Sequence, residues 1–572
     1  MCSRNTHQTV HLICLLLAAF LMPLSVWLLS VVSIVMSANW LIGGEYRRKI
    51  NTLRTHPGIM VLLALFAMYL VWLLNTSDFH GALAELRLKL PLLFFPVVAG
   101  SAEKPDRSLL RMVLFSFIAG CLFATIAGFG ALTGVLPAEI RSSRDLALFV
   151  PSIRLSIFLS FAIFSSVWLI MSDGKDDGRP ASDGTQSPLW WQNLTGWLIP
   201  LQGSKVYGVL LAAAAAAMSY FLFRLFSVTG LVIFVLLLFL TGIFMVTAGR
   251  CVRAGISVMP GVSWSTARSA GRCVRAGISF LAAAAVGTAA LTILSCNAWN
   301  RLHNPADASV NRERQLTLSG RAYTHYPEET LIENGYLVWV NVCEEELRQE
   351  WNQRSLKAYD GSDAAGNELR VTLIRYVTAM GMPKDSVAIA ALSGKDIFNI
   401  EQGYANPLYA RKGSPMARAY EIAWEIDRAA EGANPSGHSL TQRPQFYRAA
   451  AGIISRHPWT GVGTGDIARA FSDEYQSIST PLKPEYRLRA HNQYLTFGVT
   501  FGIPGMIVAV ALMVMPWLIS RRRFSYPFLI FMTVVLVTMF NDDTFSSFTG
   551  AAFFSYFYTL LIVTSDGNET QQ

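Results

Sequence analysis

Residues 227–247 read SVTGLVIFVLLLFLTGIFMVT, a stretch with no charged side chain that is long enough to cross the hydrocarbon core of a bilayer as a helix. Comparable apolar runs lie at 59–74, 81–99, 109–134, 148–171, 205–223, 278–297, 493–519 and 550–565, with a shorter one at 525–540. The first run, 11–42, is too long for one span and carries Pro23, so it reads as two short helices turning near that proline. The expected fold is therefore an all-α polytopic membrane protein with about twelve transmembrane helices. Composition agrees: the 572 residues are 52% hydrophobic and 15% charged, and the mean hydropathy is +0.37, which soluble proteins rarely reach.

Arginine and lysine are retained on the cytoplasmic side of short membrane loops. The loops at 43–58 (Arg47, Arg48, Lys49, Arg54), 248–277 (Arg250, Arg253, Arg268, Arg272, Arg275) and 520–523 (Arg521, Arg522, Arg523) fall on one side in the twelve-span arrangement. That side is taken as the cytoplasm, with both termini on it. Residues 135–147, 298–490 and 541–549 then lie on the opposite, periplasmic face. The expected domains are 1–297, holding the first nine spans, 298–490, a helical periplasmic domain, and 491–572, holding the last three. The net charge of +9 is accounted for by this topology and calls for no nucleic-acid partner. No cleaved signal peptide is expected, since the first apolar run is too long and only Arg4 precedes it. Of the seven cysteines only Cys343 falls in the long outer segment, so no disulfide framework is available there, and no ligand spacing suggests a metal.

The segment SDGKDDGRPASDGTQSP (172–188) has the composition of a flexible linker. AGRCVRAGIS occurs at 248–257 and again at 270–279, and a single pair reads as a duplication in a tolerant loop. Within the outer segment, 329–351, 366–380 and 415–430 have amphipathic helical periodicity. In TQRPQFYRAAAGIISRHPWTGVGTGD (441–466), Pro444 fits a first helical turn, Arg456 and His457 a last one, and Pro458 a stop, which places Arg443 at a helix start.

RLRAHNQYLTFGVTFGIPG (487–505) brings a histidine and two arginines to the mouth of a span. His491 could be an interface residue that hydrogen-bonds headgroups, or a base. The positive end of the helix and the nearby Arg487 and Arg489 would both disfavour its protonated form, which suits a proton acceptor. Gly498, Gly502 and Gly505 form a small-residue seam for close approach of a neighbour. Arg87, Lys89, Arg154 and Arg224 lie in or between spans on the outer side. Any one could snorkel; together they suit an anion such as a diphosphate. GVGTGD (461–466) lacks the lysine of a phosphate loop and reads as a turn. Glu344–Glu346 reads as a solvated helix face, and Asp542 and Asp543 as outer-loop residues able to orient an arginine or an acceptor sugar.

Together the 441–466 stretch, RAHNQYLTFGVTFGIPG, PSIRLSIFLS at 151–160, RLKLPLLFFP at 87–96 and DDTFSSFTGAAFF at 542–554 resemble the O-antigen ligase and polymerase family of bacterial inner-membrane proteins, in the form found in Bacteroidota. The resemblance implies a GT-C-like, metal-independent, inverting glycosyltransferase without a cofactor. It would move a glycan from undecaprenyl diphosphate to a hydroxyl acceptor, with lipid A–core the expected one. It further implies His491 as catalytic base and Arg443, Arg154 and Arg489 as diphosphate contacts, with Arg224 as a substitute contact; the reading of the residues themselves adds Lys89 to the diphosphate contacts and Asp543 as the residue orienting the acceptor. A Ser-Arg pair that many relatives carry after the tight outer turn is Ser227–Val228 here, with Arg224 one turn earlier. An O-antigen polymerase or a protein O-glycosylating ligase would use the same donor. A lipid-linked sugar transporter would need paired, interrupted helices around a midplane site, which this pattern lacks.

Overall fold

The computed structural model describes residues 2–101, 107–172, 205–253, 267–326, 328–520 and 523–566. It is almost entirely helical, with one two-stranded ribbon. Among the described residues seven helices are long and apolar enough to cross a bilayer: Pro57–Asn75, Arg107–Thr133, Ser152–Met171, Lys205–Leu225, Val228–Cys251, Ala270–His303 and Gln493–Ile519. An eighth candidate is the pair Val26–Ile42 and Tyr46–Thr55, bent by 114°. Thr6–Leu21, Tyr526–Thr538 and Phe548–Thr564 are apolar but shorter. The remaining expected span, 81–99, is two helices, Phe79–Lys89 and Pro91–Val98. Pro91 cannot donate to the preceding turn, so the helix breaks at Leu90. The turn expected near Pro23 separates Cys2–Leu21 from Val26–Ile42, where the Ser25 side chain caps the second helix by accepting from Leu28 N.

Two readings of loops change. The basic loop at 248–277 is much shorter than expected, because the helices run on to Arg253 and restart at Ala267. The second AGRCVRAGIS copy is therefore helical; residues 254–257 of the first lie outside the described residues, as does the 172–188 linker beyond Ser172.

The chain divides into two compact units. The first comprises Met1–Gly130, Ala147–Val286 and Asn434–Gln572, so the end of the expected outer segment packs with the membrane helices. Its core is aromatic: Phe117, Phe158, Phe161, Phe531, Phe553 and Phe557 meet edge to face or tilted, arrangements worth about 0.5–1.5 kcal/mol per pair beyond burial. Gly230 allows the Val228–Arg253 helix to close on Ser152–Met171, where an added Cβ would sit 2.4 Å from Ser156 Cβ.

The second unit comprises Ala131–Leu146 and Gly287–Ala433. Helices form at Leu369–Ala379 and Pro415–Ala430 close to the expected ranges, but 329–351 is helical only from Glu344. Upstream, Ile332–Glu333 pairs with Tyr336–Leu337 across Asn334–Gly335, both at positive φ, a turn chemistry that favours a hairpin over a helix. The acidic run is not one solvated face. Only Glu345 is exposed; Glu344 pairs with Arg370 at 2.5 Å. Burial would raise the Glu346 carboxyl, but hydrogen bonds from Ser319, Ser386 and Thr317 hold it down at about 2.

Candidate active site

The site is assembled within the first unit on the segment between the Tyr526–Thr538 and Phe548–Asp566 helices. Its centre is Asn541–Asp542–Asp543, three consecutive residues that each engage a different partner. Asn541 accepts from Arg443 through its side-chain oxygen, and through its backbone carbonyl at 3.3 Å. Asp542 lies 3.9 Å from Arg154. Asp543 accepts from the backbone amides of His491 (3.0 Å) and Asn492 (3.2 Å) and from the Thr496 hydroxyl (2.5 Å).

Local sequence explains how each partner arrives. Arg443 opens the Arg443–Arg456 helix, with Pro444 in its first turn and His457 ending it, as the spacing requires. The Gln493–Ile519 helix begins at the cap Asn492, whose side chain accepts from Leu495 N at 3.1 Å. His491 thus stands one residue outside the helix, at φ 48, a left-handed conformation uncommon for a residue with a side chain and more tolerable for histidine than for bulky branched types. Gln493 N donates to Met539 O at 2.8 Å, Asn492 Nδ2 to Phe540 O at 3.1 Å and Phe545 N to Gln493 Oε1 at 2.8 Å. Residues 491–493 are therefore stitched to 539–545 at every position. The imidazole stacks obliquely on Phe446 at 5.6 Å between ring centroids.

Below the break at Leu90, Lys89 and Arg489 do not wait for a ligand. Both are paired with Glu85, Lys89 Nζ at 2.5 Å to Oε2 and Arg489 Nη2 at 2.5 Å to Oε1. Lys89 also lies 5.0 Å from the centre of the Tyr69 ring. Two cations on one carboxylate leave a net positive charge, smaller than the sequence implied. The like charge expected beside His491 is correspondingly reduced, since Glu85 takes up Arg489 and Asp543 sits against the His491 backbone. Arg224 turns to Tyr220 of its own helix at 3.1 Å, and Arg87 is exposed; neither joins Asn541–Asp543. Asp543 is enclosed rather than open to an acceptor: burial raises its carboxyl above the usual range, and the hydrogen bond from the Thr496 hydroxyl offsets this only in part.

The glycine seam works as expected and goes further. Gly502 has φ 74 and ψ 178, a region open almost only to glycine, and it interrupts the helix. The exposed backbone is taken up by the 458–463 turn: Ile503 N donates to Pro458 O (2.7 Å), Val462 N to Val499 O (2.9 Å) and Gly463 N to Thr500 O (3.1 Å). GVGTGD is thus a turn, as read from sequence, but one that also receives Asn75 Nδ2 at Gly461 O (3.0 Å) and bonds Tyr69 O through Thr464 Oγ1 (2.8 Å).

Sequence reasoning missed Glu85, Asn541, Thr496 and Thr229, whose hydroxyl bonds Asn541 Nδ2 at 2.9 Å. Glu85 carried a signal, standing four residues before Lys89 on a helix. Asn541 carried only its place beside two aspartates.

Fold and site define a polytopic membrane protein with a histidine, arginines and carboxylates gathered at the ends of its helices. Residues 397–510 match the family model Wzy_C, described as O-antigen ligase. That match covers His491, Arg443 and Arg489 and indicates a glycosyltransferase-like enzyme acting on lipid-linked glycan. No curated protein matches the chain.

Proposed function

We propose that the chain transfers a glycan from undecaprenyl diphosphate to a hydroxyl of lipid A–core at the periplasmic face of the bacterial inner membrane. The observation that carries the reading is Asn541–Asp542–Asp543, which meets a histidine and two arginines from three separate stretches of the chain. The imidazole nitrogens of His491 have no hydrogen-bond partner among the described residues, and the ring is held by Phe446 on one side and by its own backbone on the other. It takes the proton of the acceptor hydroxyl. The oxygen attacks the anomeric carbon as the carbon–oxygen bond to the diphosphate breaks, its electron pair leaving with the diphosphate, so configuration inverts. Arg443 meets only the neutral Asn541 among the described residues, which leaves its charge for the leaving diphosphate, and the Lys89–Glu85–Arg489 group adds a net positive field. The chain's own cations take the role a metal would have, and transfer should be insensitive to EDTA.

Deleting the gene and separating lipopolysaccharide on a gel tests the reading. Bare lipid A–core with carrier-linked polymer accumulating is expected; core bearing a single repeat unit would mean a polymerase, and an unchanged ladder would remove both.

Orientation is open to a direct check. Glu345 is exposed in the second unit and Arg250 at the end of a membrane helix. With the other cysteines replaced, Glu345→Cys should react with an impermeant maleimide in intact spheroplasts and Arg250→Cys only after lysis; the opposite pattern would invert the topology.

Arg443 should tolerate lysine poorly. A planar fork bridges two oxygens where an ammonium serves one, and charge-assisted bonds of this kind contribute about 1.5–3 kcal/mol each. Transfer by Arg443→Lys is expected to fall by about tenfold or more. Full activity with lysine but not with alanine would reduce the contact to long-range charge.

A further inference from the structure

We infer that Glu85 is a positioning residue for His491: by holding Arg489 it grips the chain just before the histidine, as Asp543 grips it from the histidine onward. The inference rests on the glycan transfer proposed above, in which His491 is the base. At φ 48 the His491 backbone lies in a region that a residue with a side chain keeps only where its surroundings over-determine it. On the helix side the amides of His491 and Asn492 both donate to Asp543. On the other side Ala490 is fully buried, Leu488 O accepts from Tyr475 Oη at 2.6 Å, and Arg489 Nη2 reaches Glu85 Oε1 at 2.5 Å. Among the described residues, the Arg489–Glu85 bond is the one that ties residues 488–490 to a helix of the N-terminal half.

Glu85 stands on firm ground. Its helix, Phe79–Lys89, is fixed at its start, where Asp466 accepts from the Ser77 amide and hydroxyl, both at 2.6 Å, and it packs against Thr544–Ser546. A buried carboxylate stays charged only when it is paired and hydrogen-bonded. The Glu85 side chain is 6% exposed and divides its oxygens between two cations, Oε2 to Lys89 and Oε1 to Arg489. Lys89, one turn on and 3% exposed, is the buried counter-ion; Arg489, 28% exposed, is the partner on the irregular segment. A charge-assisted bond of this kind is about twice as strong as a neutral one, which suits a post for a strained residue two positions away. With both oxygens taken, Glu85 neither accepts the acceptor's proton nor meets the diphosphate, and its effect on turnover runs through Arg489.

The test is a mutant cycle on the full-length protein in nanodiscs. Removing Glu85 alone would strand a buried lysine, so every variant carries Lys89→Met. In that background Glu85→Gln keeps an oxygen for Arg489, and Glu85→Leu, of similar size, keeps none. Glu85→Leu should turn over about tenfold to a hundredfold more slowly than Glu85→Gln, as expected for a displaced catalytic group. The gap should close when Arg489→Met is added to both. Amide hydrogen exchange at residues 491 and 492 should be about threefold to tenfold faster with Glu85→Leu than with Glu85→Gln, the net worth of one hydrogen bond, and unchanged in the remote helices. Equal exchange in the two, a gap in turnover that persists with Arg489→Met, or faster exchange throughout the protein overturns the positioning role. Exchange needs no turnover, so it decides even if Lys89→Met is itself inactive. The expected exchange in a protein whose wild type transfers no lipid-linked glycan would sustain the tether while removing the transferase reading, and wild-type transfer with equal exchange in both variants would do the reverse.

Discussion

His491→Ala is expected to lower glycan transfer by about 10²–10⁴, the usual range for loss of a general base, while binding of the lipid-linked donor is retained. The reason lies in what the substitution leaves standing. The backbone amide of residue 491 still donates to Asp543, and Arg443 still meets Asn541. Alanine is, however, poorly suited to φ 48, so part of its loss could come from the backbone. His491→Asn separates the two effects, because asparagine tolerates this conformation and cannot act as a base near neutral pH. Both variants should be equally inactive in a reconstituted assay with donor and lipid A–core. An asparagine variant with near-normal turnover would return His491 to the role of an interface residue.

Asp543→Ala should cost about a hundredfold in turnover with little change in KM for the donor, although Asp543 touches no substrate in the proposed reaction. Its carboxylate accepts from two backbone amides and one hydroxyl at the mouth of the Gln493–Ile519 helix. Leaving buried donors unpaired costs about 1–3 kcal/mol each, and the loop would move to find other acceptors. A shift of about 1 Å in a catalytic group is enough for a hundredfold loss. Asp543→Asn keeps one oxygen and, since burial already favours the neutral form, should recover part of the turnover. A loss of folded protein that matches the loss of turnover in the alanine variant, or no rescue by asparagine, would mean general unfolding and not positioning.

The helices were legible because a bilayer imposes one rule on every span: enough consecutive apolar residues to cross, with every backbone bond satisfied inside the helix. Pro23 and Pro444 were readable for the same local reason, a missing donor and a fixed φ. Pro91 carried the same signal, and its break in 81–99 was hidden by the length of the apolar run. Arg154 stood out as a cation within an apolar span, His491 as an imidazole at the mouth of one, and Arg443 as the residue before Pro444 at a helix start. Their counterparts did not. Glu85 and Asn541 matter through who they touch, across hundreds of residues for Glu85 and Arg489, and single-sequence periodicity holds no record of such pairs. Hence the surplus of positive charge was overestimated and Asp543 was assigned to a substrate when it holds the chain.

Gly502 has a mechanical consequence. Above it, residues 493–501 are tied to 462–463 and to 539–545, and Ile503 just below it is held to Pro458; the rest of the helix runs on to Ile519 without a bond to that turn among the described residues. A bilayer that thins or thickens tilts its helices, and a continuous rod would carry that tilt straight to His491. A swivel at Gly502 would let the lower segment lean while the upper one stays seated, which would leave the proposed base His491 indifferent to the thickness of the lipid around it. Transfer rates in short-chain and long-chain phosphatidylcholine bilayers should then agree, and a steep dependence on chain length would show the two halves to be rigidly joined.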